Sequence, residues 1–232
     1  QGLMTVVAVI TVTYTAQNNW GLFNWIALPE PLVFLLSLAL VDLLRYVVHR
    51  MYHNVPALWR LHRLHHTDLD LDYSTQFRFH PLETLTGAVF TLPVIALISP
   101  SVDAIIAHKL LFVVVAFFAH SNARLPVWLE RYGRWIVTTP DLHKVHHSTA
   151  ISESNANYGA LFTCWDRMLG TYVDQPKVAP EIMEFGVTGM RDEKHLRLDW
   201  MIMNPFLSEH EDSNVIKALT SASTEVVKVN RE

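Results

Sequence analysis

The chain opens with long apolar stretches separated by short polar segments. Apolar residues dominate positions 2–16, 31–44, 82–99 and 104–120, and stretches of this length predict helices rather than strands. Residues 31–53 supply the roughly 20 residues that a bilayer span needs, with Pro31 in the first turn. Only residues 100–103 separate the last two stretches, so we expect those two helices to form a hairpin.

The first stretch is too short to cross a bilayer by itself. We expect residues 2–16 to belong to a helix that is longer in the full protein. A cleaved signal peptide is the competing interpretation, but neither a basic n-region nor a small-residue cleavage site is visible.

The basic residues are distributed unevenly along these helices. Residues 17–30 contain no Lys or Arg but carry Trp20, Phe23 and Trp25, as an outer interfacial belt would. The opposite side holds Arg45, Arg50, Arg60, Arg63, Arg78, Arg124, Arg131, Arg134 and Lys144. The positive-inside rule makes that side cytoplasmic. Lys109 is the exception, and we expect it to snorkel outward from its helix.

Histidine is the most informative residue type in this composition. Eight of the 13 histidines lie in three clusters on the basic side. The clusters are an HxxxH motif and two HxxHH motifs: His49 and His53; His62, His65 and His66; His143, His146 and His147. Residues three and four apart share a helix face, so we expect each cluster to direct its rings at one point.

Eight imidazoles suit a dinuclear metal site. Four to five nitrogens per ion are enough for two ions with open positions, and imidazole suits iron, copper, zinc and nickel. Cys164 is the only cysteine, which excludes an internal disulfide, a thiolate zinc site and a cysteine-ligated cluster. The pattern predicts an all-α integral membrane bundle of about four transmembrane or hairpin helices, with a cytosolic helical cap that carries a histidine-rich dimetal site.

Two further histidines are candidate ligands. His120 ends the fourth apolar stretch on the metal side and is a candidate ninth ligand, whereas His80 could bind metal, orient a ligand or cap a helix. His108, His195 and His210 lack partners at ligand spacing and are expected to be structural or exposed. Metal-bound imidazoles usually donate their second N–H to a carboxylate or carbonyl, and the available acids are Asp42, Asp68, Asp72, Glu83, Asp141 and Glu153.

These motifs resemble those of the fatty acid hydroxylase and sterol desaturase superfamily of integral membrane di-iron enzymes. The resemblance extends over most of the chain and also includes residues 42–49, 58–66, 78–83, 120–122, 140–148, 157–159 and 165–167. The sequence departs from the family at one point. Some members carry an extra histidine pair between the second and third clusters, whereas here only His120 is present and Arg124 stands where its partner would be.

The resemblance implies a monooxygenase-type enzyme with two iron ions and O2 as co-substrate. Such an enzyme hydroxylates or desaturates a C–H bond of a lipid, which would be a sterol, a fatty acyl chain or an ether lipid. Zinc can replace iron in a purified sample. The sequence has neither a nucleotide motif nor a haem-attachment motif, so electrons are expected from a cytochrome b5-like protein or a ferredoxin with its reductase. The metal site would face the cytoplasm, at a bacterial inner membrane or the endoplasmic reticulum.

Other functions remain open at this point. They are a bis-histidine haem electron-transfer protein, a zinc hydrolase, for which the expected HExxH is missing, and a non-catalytic lipid-binding paralogue. A soluble protein with hydrophobic core helices is the alternative fold. The net charge of −4 and the scattered basic residues argue against nucleic-acid binding.

We expect residues 1–172 to form the membrane and catalytic unit, and residues 173–232 to form an extension that packs on the cap and ends in a mobile tail.

Overall fold

The computed structural model describes residues 2–179 and 182–207. Within these ranges the chain is helical and contains no β-strand, only two isolated bridges. The α-helices are α1 Gly2–Gln17, α2 Leu22–Trp25, α3 Glu30–Asn54, α4 Pro56–His66, α5 Pro81–Ile98, α6 Val102–Ala119, α7 Val127–Gly133, α8 Pro140–His146, α9 Ile151–Ser154, α10 Cys164–Met168 and α11 Leu198–Met203. Short 3₁₀ helices lie at Tyr73–Phe77, Glu193–Leu196 and Asn204–Phe206.

Among the described residues, three helices, α3, α5 and α6, are long and apolar enough to cross a membrane. Only 22%, 11% and 33% of the residues in their most apolar segments are buried within the protein. Apolar helices of a soluble protein would bury most of that surface, whereas in a bilayer the lipid covers it. The exposed apolar faces therefore favour the membrane fold over the soluble alternative.

Helix α1 packs between α5 and α6. Ala8 and Val12 of α1 join Ile95 and Ile105 in one hydrophobic cluster. At the far end of α1, the hydroxyl groups of Thr15 and Ser99 lie 2.8 Å apart. With 16 described residues, α1 is shorter than a bilayer span, so a fourth crossing helix stays a prediction.

The histidine-bearing helices begin at prolines. Val55 is extended and ends α3, and Pro56 then occupies the first turn of α4. The same arrangement occurs at α8, where Pro140 follows Thr139, whose hydroxyl accepts a hydrogen bond from the Leu142 N–H. Proline fits a first helical turn because its missing N–H would have no partner there. These breaks turn α4 and α8 across the end of the spanning helices.

A buried polar contact joins α3 and α6 to the cap. Asp42 Oδ1 accepts a hydrogen bond from His108 Nε2 at 2.9 Å. Asp42 Oδ2 accepts from Trp165 Nε1 at 2.8 Å and from the Phe162 N–H at 3.3 Å. His108 is therefore structural, as expected, and the carboxylate inside an apolar helix is fully hydrogen-bonded.

The last described segment lies against α4. The buried Arg63 side chain donates from Nε to Asn204 Oδ1 and from Nη2 to the Asn204 carbonyl, both at 2.7 Å. His195 is buried against Trp200, with ring centroids 4.4 Å apart. The unit boundary at residue 173 stays a prediction, and both His210 and the predicted tail lie outside the described residues.

Candidate metal centre

Nine histidines meet at the end of the helical bundle and form two groups. Within each group the potential ligand atoms all lie within 4.8 Å of one another. The first group has five members: His49, His53, His62, His66 and His146. The second group has four: His65, His120, His143 and His147. The structure thus brings together all eight clustered histidines and adds His120.

The expectation that each cluster points at one centre holds for His49 and His53 but is wrong for the two HxxHH motifs. His62 and His66 belong to the first group, whereas His65 belongs to the second. The motif on α8 divides in the opposite sense, with His146 in the first group and His143 in the second. Successive helical residues are about 100° apart around the axis, so the two adjacent histidines of an HxxHH motif face different centres. Each HxxHH motif therefore contributes to both groups, whereas His49 and His53 of the HxxxH motif both belong to the first.

Hydrogen bonds from Nδ1 orient three rings of the first group. His49 Nδ1 donates to the Tyr158 carbonyl, and His146 Nδ1 donates to the Ala156 carbonyl, both at 2.7 Å. His62 Nδ1 lies 2.7 Å from Glu83 Oε1. In a neutral imidazole with its proton on Nδ1, Nε2 carries only a lone pair. These three rings therefore present a lone pair to the centre of the group.

Two of the four rings in the second group are anchored in the same way. His120 Nδ1 donates to the Ala116 carbonyl at 2.7 Å, and His65 Nδ1 lies 3.2 Å from the Thr75 carbonyl. The Nε2 atom of His120 lies 3.2 Å from that of His65 and 3.0 Å from that of His143. His143 Nε2 is in turn 3.1 Å from His147 Nε2. All four Nε2 atoms thus meet at one point.

These nitrogen contacts fit metal ligands better than hydrogen bonds. With both protons on Nδ1, no hydrogen lies between His49 Nε2 and His62 Nε2, which are 3.1 Å apart, or between His65 Nε2 and His120 Nε2. Two nitrogens that each lie about 2.1 Å from one ion, at a right angle, are separated by about 3 Å. A cation between such lone pairs would remove their repulsion. Both groups therefore have the donor set and the spacing of a metal site.

Unpaired nitrogen atoms in the buried cluster support the same interpretation. His146 Nε2 has no hydrogen-bond partner, and neither ring nitrogen of His66 has one within the part of the chain described. Both rings are almost completely buried. A buried polar atom without a partner costs about 1–3 kcal/mol, so the arrangement is expensive unless a ligand satisfies it.

Burial keeps the imidazoles of the cap neutral. Desolvation lowers the pKa of His146 to about 3 and that of His120 to about 4. Burial, together with neighbouring imidazoles, also holds the pKa values of His65, His143 and His147 well below 6.5. Neutral imidazole is the form that binds a metal ion, so the rings are ready to do so at pH 7.

Among the six acids considered from the sequence, the structure brings one, Glu83, against a histidine of the two groups. Its Oε2 has no hydrogen-bond partner among the described residues. Asp68 contacts Arg78, Asp141 contacts Lys144, and Asp72 caps the 3₁₀ helix that follows. Backbone carbonyls, which sequence motifs do not reveal, orient four of the other rings, those of His49, His146, His120 and His65. His80 lies outside both groups and caps α5 through Nδ1, with Nε2 3.1 Å from the Ile202 carbonyl.

The carbonyl that orients His49 is itself held by a short loop. The two carboxylate oxygens of Asp166 accept hydrogen bonds from the N–H groups of Tyr158 and Gly159, both at 2.8 Å. A Cβ atom on Gly159 would lie 2.5 Å from the Phe162 carbonyl oxygen and 2.8 Å from Asp166 Oδ2. Only glycine fits this close approach. Tyr158, Gly159 and Asp166 thus help to position a histidine.

A cavity of about 270 Å³ extends from the histidines into the helical bundle. His49 and His120 are among the residues that line it, and Leu92 and Ile95 belong to its apolar walls. Helices α5 and α6 form walls of the cavity, and α1 and α3 also contribute. Lys109, which we expected to snorkel outward from its helix, lines the cavity as well. Its nitrogen lies 5.3 Å from the centre of the Phe112 ring, and this aromatic face offsets part of the cost of turning the charge inward.

Comparison with known proteins identifies a family for this chain. The model of the fatty acid hydroxylase family matches residues 34–171. Similar proteins include ornithine lipid hydroxylase OlsE of Rhizobium tropici, with 29% identity over 78% of this chain and 54% of the relative. Alkylglycerol monooxygenase of Xenopus tropicalis shares 32% identity over 67% of this chain and 34% of its own length. Fatty acid hydroxylase vlmA of a Lecanicillium species shares 30% over 75% and 49%, respectively.

The spanning helices and the buried histidine groups define an integral membrane protein with a candidate dinuclear centre. The chain belongs to the fatty acid hydroxylase family, which confirms the resemblance drawn from its motifs. It spans between about a third and about half of the length of the relatives described above. No solved structure gives a significant match.

Proposed function

We propose that the protein is a di-iron oxygenase that hydroxylates or desaturates a C–H bond of a lipid. The two histidine groups would each hold one iron ion, the first through His49, His53, His62, His66 and His146 and the second through His65, His120, His143 and His147. His80 is not part of this proposal, because it lies outside both groups.

One observation carries the proposal: imidazoles of both groups face one another through Nε2 atoms at 3.0–3.2 Å. Where both rings carry their proton on Nδ1, the facing Nε2 atoms have only lone pairs between them. A cation could therefore bind between these nitrogens. Bound iron would supply activation of O2 and oxidation of an unactivated C–H bond. Zinc could occupy the same nitrogens in a purified sample.

The chain's own groups would orient the ligands and limit access to them. Carbonyls of Tyr158, Ala156, Ala116 and Thr75 fix the ring tautomers, and Glu83 adds a negative charge beside otherwise neutral ligands. The apolar walls of the cavity would exclude water and place a lipid carbon beside the histidines. The named relatives act on an ornithine lipid, an alkylglycerol and a fatty acid, which supports a lipid substrate here.

We further propose that the centre faces the cytoplasm and receives electrons there. The exposed Arg124 and Arg131 lie on the same side as the histidines, as the positive-inside rule requires of a cytoplasmic face. The donor would be a cytochrome b5-like protein or a ferredoxin with its reductase.

The alternative of a bis-histidine haem protein fits the site poorly. A haem needs two axial rings with a flat, open space between them. Here four or five rings crowd within each group, and the His66 and His147 rings stack with centroids 4.4 Å apart. A porphyrin plane would have to displace several histidines. The non-catalytic lipid-binding alternative is left to the experiment.

Lipid profiling of cells that express the protein tests the proposed function. We expect wild-type cells, in the presence of O2, to accumulate a lipid with one added oxygen atom or two fewer hydrogens, and cells with His146→Ala to lack it. His80→Asn is the matched control, because asparagine can also cap a helix and His80 lies outside both groups. Equal products from wild type and His146→Ala would contradict the proposal.

A further inference from the structure

The cavity above the histidines contains a buried cation that the metal centre does not use. Arg45 lies on α3, one turn before His49, and lines the same cavity. At 1.5 Å per residue, its backbone is about 6 Å from that of His49 along the helix axis. The guanidinium carbon lies 3.4 Å from the centre of the Phe112 ring on α6. The charge is thus held at a fixed level just above the candidate centre.

Two carboxylates, Asp42 and Glu83, attract Arg45 electrostatically, but neither is hydrogen-bonded to it in the described part of the chain. Asp42 accepts hydrogen bonds from His108, Trp165 and the Phe162 N–H, and Glu83 Oε1 is taken by His62. Arg45 Nε has no hydrogen-bond partner in the part of the chain that the structure describes. An arginine inside a membrane-spanning segment is costly unless it faces a cavity and meets a counter-charge. The position of Arg45 therefore points to an anionic ligand.

The residues that line the cavity indicate the chemical class of that ligand. Lys109 lies against the same Phe112 ring and lines the same cavity, so two cationic side chains share one level. Above them the walls are apolar, with Leu44, Leu92, Ile95 and Ile105 among the lining residues. A guanidinium matches a carboxylate or phosphate geometrically, and the apolar part would accept a hydrocarbon chain.

We infer that the cavity selects a lipid with an anionic group, a carboxylate or a phosphate, which Arg45 binds with Lys109 beside it. This inference rests on the proposed function, because it takes the cavity to be the lipid site. It also sets the distance between the anionic group and the histidines, since Arg45 and His49 lie on the same helix face.

Equilibrium binding to the full-length protein in detergent tests the inference without any turnover. The probes are radiolabelled palmitate, hexadecyl phosphate and the neutral hexadecanol, which share one chain length, and each is measured with iron-loaded and with metal-free protein. We expect the wild type to bind at least one of the two anionic probes more tightly than hexadecanol by roughly 10-fold or more, as a charged hydrogen bond predicts. Whether palmitate or hexadecyl phosphate binds more tightly distinguishes a carboxylate from a phosphate group.

Variants assign the effect to the cavity. Arg45→Met should lose roughly 10- to 100-fold in affinity for the preferred anion and change hexadecanol binding less than about twofold, whereas Arg45→Lys should retain part of the selectivity. The exposed Arg124→Met removes an equal charge outside the cavity and should change nothing. Equal wild-type affinity for acid, phosphate and alcohol would overturn the inference even if Arg45→Met failed to fold. A folded Arg45→Met variant that binds the preferred anion as tightly as the wild type would also overturn the inference.

The outcome separates this inference from the proposed function. Anion selectivity in a protein that neither binds iron nor oxidises lipid would support the inference and refute the oxygenase proposal. Lipid oxidation without selectivity for an anionic probe would do the reverse.

Discussion

Replacing Glu83 tests whether the hydrogen bond at the Nδ1 atom of a histidine ligand controls the metal affinity of its Nε2 atom. Glu83 is 8% exposed, and its Oε1 lies 2.7 Å from His62 Nδ1. A hydrogen bond to a charged group is worth about 1.5–3 kcal/mol, against about 0.5–1.5 kcal/mol for a neutral pair. Glu83→Gln keeps the size but removes the charge, so the bond should weaken by about 1 kcal/mol, or roughly five- to tenfold in affinity. Glu83→Ala removes the bond and should cost about 10- to 100-fold.

The assay is competition between the protein and a chelator for iron under anaerobic conditions. Since His62 belongs to the five-membered group, we expect one of the two ions to be lost at lower chelator concentration while the other is retained. Glu153→Gln is the matched control: Glu153 is 2% exposed but accepts from the Lys177 N–H rather than from a histidine. Unchanged affinity in both Glu83 variants, or an equal loss in Glu153→Gln, would refute the reasoning.

Three further predictions follow from the same contacts. His120→Ala leaves three histidines in the second group, so metal analysis should find about one tightly bound ion where the wild type holds two. Gly159→Ala places a Cβ atom 2.5 Å from the Phe162 carbonyl oxygen, so the free energy of unfolding should fall by about 1–3 kcal/mol, measured by thermal unfolding. Metal-free protein should lose stability as the pH falls from about 7 to about 5, because the unfolded chain takes up protons at histidines near pH 6.5 that the folded chain cannot.

Each of these predictions has a contradicting outcome. His120→Ala with an undiminished metal content would show that this ring is dispensable. Gly159→Ala should unfold at lower temperature than Gly133→Ala, whose added Cβ meets Thr139 Cγ2 at an ordinary 3.5 Å. An unfolding temperature that does not fall between pH 7 and pH 5 would conflict with the pKa of His146, which burial lowers to about 3. The sign follows because a lowered folded-state pKa makes proton uptake favour the unfolded chain.

The spanning helices and the histidines could be recognised from the sequence because both leave periodic patterns. Apolar runs of bilayer length and HxxHH spacing are local properties, and the structure places the corresponding helices as expected. The division of each HxxHH motif between two centres follows from helical geometry and was accessible in principle. It was missed because residues at spacings of three and four were taken to share one target.

Other features depend on tertiary contacts that no local pattern reports. Carbonyls such as those of Ala156 and Tyr158 orient rings from distant elements, and any residue type has a carbonyl. The inward position of Lys109 depends on Phe112 and on the shape of the cavity. His120 could be proposed from its place at the end of α6, but its grouping with His65 and His143 required the fold.

Iron content of the anaerobically prepared wild-type protein tests the central claim most directly. Elemental analysis after loading with ferrous iron should find two iron ions per chain, because the structure offers two separate groups of buried, neutral imidazoles. A folded protein with all nine histidines intact that binds fewer than two ions would contradict a dinuclear iron centre.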